Sequence, residues 1–177
     1  MSINVGIIGV GNCASNLVQG LTYYKKVKSN KLIPGLMHPV LGGYKISDIK
    51  IVSAFDIDLK KVGKDVSEAI KKEPNNTVKI ADVPKLGVQI LKGNVFDGIG
   101  ECMTGIVKTD NKKPVDIARN LQDSGTEILI NFLNHTIIYF IWLRSSARLE
   151  HRTLNPGVVG SNPSGSVYHE NSPNFLR

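Results

Sequence analysis

The hexapeptide Gly9-Val10-Gly11-Asn12-Cys13-Ala14 constrains this chain more than any other stretch, because of what flanks it. Before it, Ile3 to Ile8 is a short β-branched run that reads as a buried parallel strand. After it, Leu17, Val18, Leu21 and Tyr24 recur at a spacing of three to four, which predicts a helix from about Cys13 to Val27. A strand that turns through Gly-x-Gly-x-x-Ala into a helix leaves bare backbone where a pyrophosphate can approach. It also aims the free N–H groups of the helix start at that point. Ala14, in place of a third glycine, still lets helix and strand pack closely. The hexapeptide alone would fit a glycine-rich turn that binds nothing, so its context has to carry the reading.

The rest of the first 133 residues continues the alternation. Ile49 to Phe55 predicts a second strand closed by Asp56, and Asp58 to Lys72 a helix with Val62, Val66, Ala69 and Ile70 on one face. Val78 to Ile80 and Val88 to Leu91 are short strand candidates. Val115 to Leu121 reads as helix and Glu127 to Phe132 as strand. Residues 28–47, with Pro34-Gly35 and Gly42-Gly43, have no sustained period and read as a long loop. Alternating strands and helices call for an α/β fold, a doubly wound parallel sheet of the Rossmann-like, dinucleotide-binding kind. Asp56 stands where a carboxylate can accept the hydroxyls of an adenosine ribose and repel a 2′-phosphate, which favours NAD over NADP. It follows Gly11 by 45 residues rather than about 20, and the loop at 28–47 must absorb the excess. A solvated acid at a strand end would look the same.

Composition narrows the alternatives. The 177 residues are 41% hydrophobic, enough for one core and hardly for two domains. Two cysteines cannot build a disulfide framework, no basic-then-apolar leader opens the chain, and a reducing, cytoplasmic setting is expected. The densest apolar run, Thr136 to Leu143, is far short of the ~20 residues of a spanning helix. The net charge of +7 is spread without a block of like charges and comes with no nucleic-acid-binding motif. Cys13 reads as a small buried packing residue, His38 as a lone loop histidine, and the pair Lys60-Lys61 as a solvated helix face. Cys102 has no neighbours spaced for metal or catalysis. All 17 lysines lie in residues 1–133, whereas the last 44 residues hold four of the five arginines and the single tryptophan. Two parts of one evolved domain seldom differ so sharply in the Lys/Arg choice.

The motifs of the first part, taken in order, resemble the opening of prokaryotic-type myo-inositol-1-phosphate synthases (inositol-3-phosphate synthases). They are Gly9 to Ser15, Leu17-Val18-Gln19-Gly20, Tyr23-Tyr24, Pro34 to His38, Ile46 to Ile49 and Ala54 to Asp58. Lys60 to Gly63, Asn75-Asn76-Thr77, Ala81-Asp82-Val83 and Asp97 to Gly100 continue the series. The resemblance covers about residues 3–133. It implies NAD as cofactor, with Gly9, Gly11, Asn12, Cys13 and Ala14 at the phosphates and Asp56 and Ile57 at the adenosine end. Asn76 and Thr77 would be further contacts, and Asp65 is carried over by resemblance alone. It implies conversion of glucose 6-phosphate to inositol 3-phosphate, with oxidation, aldol cyclisation and reduction, in a homotetramer that this chain is expected to have lost. Neither nucleic acid nor membrane is an expected partner, from the diffuse charge and the short apolar run. No catalytic residue and no metal ligand is assigned.

The resemblance stops at Leu133, where Asn134-His135-Thr136 replaces the family's Leu-Pro-Val-Gly-Ser. Residues 134–177 are expected to be an unrelated tail, because Leu149 to Pro163 resembles the translation of a transfer-RNA gene. A frame or assembly break would explain the change, and a genuine small appendage is the alternative. The expectation is therefore an NAD-binding segment, 1–133, inactive by itself. A stand-alone NAD-binding or redox-sensing module, or a structural pseudoenzyme subunit, would be the other readings.

Overall fold

A computed structural model describes residues 2–26, 33–95, 99, 103 and 105–133 of the chain. Residues 134–177, Cys102, and Asp97, Gly98 and Gly100 of the last motif lie outside the described residues. The described elements follow in order: β1 (Ile3–Ile8), α1 (Asn12–Lys25), β2 (Val40–Leu41), β3 (Tyr44–Lys45), β4 (Ile49–Asp56), α2 (Val66–Ala69), β5 (Ile90–Lys92), α3 (Ile117–Asp123) and β6 (Ile128–Asn131). A 3₁₀ turn, Ile46–Asp48, joins the small β2–β3 hairpin to β4.

The main sheet has the order β5-β4-β1-β6, and every pair in it is parallel. β1 is central because the chain winds outward to β4 and β5 on one side and then crosses to β6 on the other. That reversal opens a crevice at the carboxyl ends of the strands. Consecutive residues serve opposite faces. Ile7, Ala54 and Ile90 join Val18 of α1 and Val66 of α2 in one buried cluster, while Ile8, Phe55 and Ile117 form a second with Leu121 of α3. Both faces are thus covered, as an α/β sheet requires. Gly6 in β1 is needed for close approach, since a Cβ there would lie 2.7 Å from Ser53 Oγ and 3.0 Å from Leu121 Cδ2.

Three local expectations change. The helix expected over Asp58 to Lys72 is four residues long. Gly63 takes φ +84, and Asp65 starts α2 by accepting the N–H of Ser67. Its expected apolar face nevertheless holds, with Val62, Val66, Ala69 and Ile70 all buried. Val78 to Ile80 forms no strand. Side chains of α1 take its hydrogen bonds instead: Gln19 donates to the Val78 carbonyl and accepts from the N–H groups of Ile80 and Ala81. Within 28–47, the described part contains the hairpin, turned through Gly42 and Gly43 at positive φ.

Candidate functional site

The carboxyl ends of all four main strands border one cleft of about 610 Å³. Its floor is the glycine loop. Gly9 takes φ +84, a conformation that favours glycine, and donates its N–H to the Phe55 carbonyl at 2.9 Å. Leu133 packs against it, so a Cβ there would meet Leu133 Cδ2 at 3.0 Å. Val10 is fully buried and anchors the loop. Gly11 is the N-cap of α1 with ordinary φ and ψ of −88° and −159°. It supplies no capping side chain, and the first turn holds no acidic residue. A Cβ at Gly11 would meet nothing within 4 Å. The amino end of a 14-residue helix therefore faces open cleft with no side-chain acceptor on its N-cap, a geometry suited to an anionic group.

Asp56, at the end of β4, turns its carboxylate back to this loop. Oδ2 accepts the Val10 N–H at 2.8 Å, and Oδ1 accepts the N–H groups of Ile57 and Asp58 at 2.7 and 3.0 Å. A carboxylate has about four acceptor positions, so one on Oδ2 remains for a ligand in the cleft. The sequence reading allowed Asp56 both ribose hydroxyls. In the folded chain most of its capacity is spent on the backbone that orients it. Ile57 also lines the cleft, and its carbonyl accepts the N–H of Asp110 at 2.8 Å. With Leu59 N–H bonded to the Lys108 carbonyl, this bridge holds Met103, Ile106 and Val107 as an apolar wall beside Asp56.

The other sequence candidates separate. Asn12 lines the cleft, with its side-chain amide in a reciprocal pair with Asn76: Nδ2 donates to Asn76 Oδ1 at 2.8 Å, and Asn76 N–H donates to Asn12 Oδ1 at 2.9 Å. Thr77 shares a 2.7 Å hydrogen bond with Ser15. Asn76 and Thr77 therefore brace the flank of α1 and do not border the cleft themselves. Ala14 is fully buried in the core between helix and sheet. Cys13, expected to be buried, is exposed and borders the cleft, because the packing position belongs to its neighbour. Asp65 is away from the cleft. Its carboxylate accepts from Ser67 N–H and Oγ–H and from the N–H groups of Leu86 and Gly87, which pins residues 86–87 to the start of α2. Burial pushes its carboxyl up, but these hydrogen bonds outweigh it and hold it below the ordinary aspartate value.

Two residues that sequence reasoning passed over belong to the site. Lys61, read as part of a solvated face, is 4% exposed and lines the cleft. Its Nζ donates to the Val10 carbonyl and to Asn75 Oδ1, both at 3.0 Å. It stands 3.9 Å from Asp56 Oδ2 and 3.9 Å from Asp58 Oδ2. Asp58 is 2% exposed, and its Oδ2 has no hydrogen-bond partner. Only Lys60 of the lysine pair is at the surface, with Glu73. The spacing Asp-x-Asp-x-x-Lys was the available signal, since one turn after the strand brings the lysine back beneath both acids.

Comparison with known proteins supports the same origin. No family model matches the chain. The inositol-3-phosphate synthase of Mycolicibacterium smegmatis is 46% identical over 131 residues, which is 74% of this chain and 36% of that protein. That of Corynebacterium glutamicum is 41% identical over 132 residues, 75% and 36% of the two chains. The crystal structure of Ari2 superposes with a TM-score of 0.62 at 29% identity, covering 82% of this chain and 43% of that one. A myo-inositol-1-phosphate synthase-related protein from Thermotoga maritima shares the fold, with a TM-score of 0.52 at 21% identity over 84% of this chain and 41% of its own. Over its matched part the chain is therefore similar to inositol-3-phosphate synthases, and it spans 36% of the length of the curated relatives it matches.

Proposed function

We propose that the cleft binds NAD and that these residues are the cofactor-binding part of an inositol-3-phosphate synthase. The observation that carries the reading is the pairing of two features at one crevice: the bare, uncapped amino end of α1 at Gly11, and the oriented Asp56 carboxylate bonded to the same loop through Val10. The helix end would hold the pyrophosphate, and the free position on Asp56 Oδ2 would accept a ribose hydroxyl. The apolar wall of Met103, Ile106 and Val107 suits the adenine face. Bound there, NAD would supply reversible hydride exchange with a sugar phosphate. What this chain's own residues do is bind and orient. Glucose 6-phosphate as substrate comes from the family resemblance, and a cytoplasmic location from the cysteine content. Among the described residues, no helix is long and apolar enough to cross a membrane.

Calorimetric titration of the full chain with NAD and NADP tests the reading. NAD is expected to bind more tightly, because Asp56 repels a 2′-phosphate, and Asp56→Asn should weaken NAD and narrow the preference. Equal or reversed affinities would sink the assignment. Because the chain spans 36% of its relatives' length, binding without turnover is the second reading. It predicts no inositol phosphate from glucose 6-phosphate and NAD above a no-protein control.

A further inference from the structure

We infer that Lys61 is a positioning residue for the dinucleotide: it aims Asp56 at the ribose by closing a ring with the glycine loop. The inference rests on the NAD reading of the cleft and adds a group to it. Three contacts make the ring. Lys61 Nζ donates to the Val10 carbonyl at 3.0 Å, the Val10 N–H donates to Asp56 Oδ2 at 2.8 Å, and Asp56 Oδ2 lies 3.9 Å from Lys61 Nζ. Both backbone polar groups of Val10, in the two peptide units that flank its Cα, are thereby tied to the two charged side chains. Asn75 seconds the arrangement, since its Nδ2 also donates to the Val10 carbonyl and its Oδ1 accepts from Lys61.

Charge explains why a lysine is needed. Asp56 and Asp58 place two carboxylates at the rim of a site that must also admit an anionic pyrophosphate. Among the described residues, Lys61 is the cation within salt-bridge distance of both, at 3.9 Å from each. Two of its three N–H donors are committed to Val10 and Asn75. The third is left for oxygens that include the otherwise unpartnered Asp58 Oδ2. Without the ammonium the two acids repel each other uncompensated, and Asp56 is held only by its three backbone N–H bonds, one of them to a Val10 that Lys61 no longer ties at its carbonyl. A buried pair broken on one side leaves an uncompensated charge, so the effect on Asp56 should be large.

The test uses the full chain, with NAD, ADP and 2′-deoxy-ADP titrated calorimetrically into wild type, Lys61→Met, Lys61→Arg and Asp56→Asn. Wild type should prefer ADP to its 2′-deoxy analogue by about tenfold, as befits a hydrogen bond to a carboxylate. In Lys61→Met that ratio should fall to near one, and Lys61→Arg should restore part of it. A role confined to holding the fold would weaken both ligands by the same factor and leave the ratio intact. A Lys61→Met/Asp56→Asn double variant should lose little more ADP affinity than Asp56→Asn alone, because the two residues act as one unit. If Lys61→Met does not fold, Lys61→Gln, which keeps a donor for Val10, reads the same ratio. Wild-type binding with an unchanged ratio in the Lys61 variants overturns this inference and leaves the NAD reading standing. A wild-type ratio near one also overturns it, and a wild-type chain that binds neither NAD nor ADP overturns both.

Discussion

Gly11→Ala separates ligand binding from folding at a single methyl group. The backbone at Gly11 has φ −88°, which any L-residue adopts, and the new Cβ would meet no atom within 4 Å. Alanine is a poorer N-cap than glycine by roughly 0.5–1 kcal/mol. Removing a glycine restricts the unfolded chain and returns about 0.4–1 kcal/mol. The two effects nearly cancel, so the melting temperature should move by less than about 2 °C. Binding should behave differently, because the methyl projects into space that a pyrophosphate needs. Overpacking of that kind costs about 1–3 kcal/mol, or roughly a 5- to 150-fold loss of NAD affinity. Gly9→Ala is the contrast within the same motif. Its φ of +84 and the 3.0 Å approach to Leu133 Cδ2 should cost about 2 kcal/mol of stability, or roughly 4–8 °C. Scanning calorimetry and NAD titration on both variants decide the matter. A Gly11→Ala chain that binds NAD like wild type refutes the pyrophosphate placement, and one that melts like Gly9→Ala refutes the claim that the space at Gly11 is free.

Gly6→Ala should destabilise the chain by about 1–3 kcal/mol in urea unfolding, because its Cβ would lie 2.7 Å from Ser53 Oγ at the centre of the sheet. Asp65→Ala should cost about 2–4 kcal/mol, from the lost cap and the orphaned N–H groups of Leu86 and Gly87, while leaving the NAD/NADP ratio unchanged. The Asp65 carboxyl is depressed in the folded chain, so its stabilisation is present above the unfolded value of 3.8 and is lost as pH falls through the folded value. Urea midpoints taken from about pH 5 downward should therefore fall less steeply in Asp65→Asn than in wild type. An equal slope would show that these hydrogen bonds do not favour the ionised form. Gln19→Leu should loosen residues 78–81, read as faster amide exchange at Ile80 and Ala81, because one side chain holds both N–H groups.

What the sequence determined by itself is local. A β-branched run, two glycines and a helical period lie within residues 3–25, and their meaning depends only on neighbours a few positions away. Gly9 must be glycine because its own φ is positive, and Asp56 ends a strand whose length its own residues specify. The parallel sheet with both faces covered also follows from such short-range patterns repeated along the chain. What only the tertiary structure decided is where charge and polarity go. Lys61 looks like half of a surface pair until the fold brings Val10 and Asn75, 51 and 14 residues away, to its ammonium. Val78 to Ile80 has a strand's composition, yet Gln19 satisfies its backbone from the side of α1, and no ladder forms. Asp65 could pass for a ligand-binding acid until residues 86–87 arrive to occupy it. A buried ionised or hydrogen-bonding group is stable only beside its partners. In each of these cases the partners are set by strand order and helix docking, which no window along the chain contains.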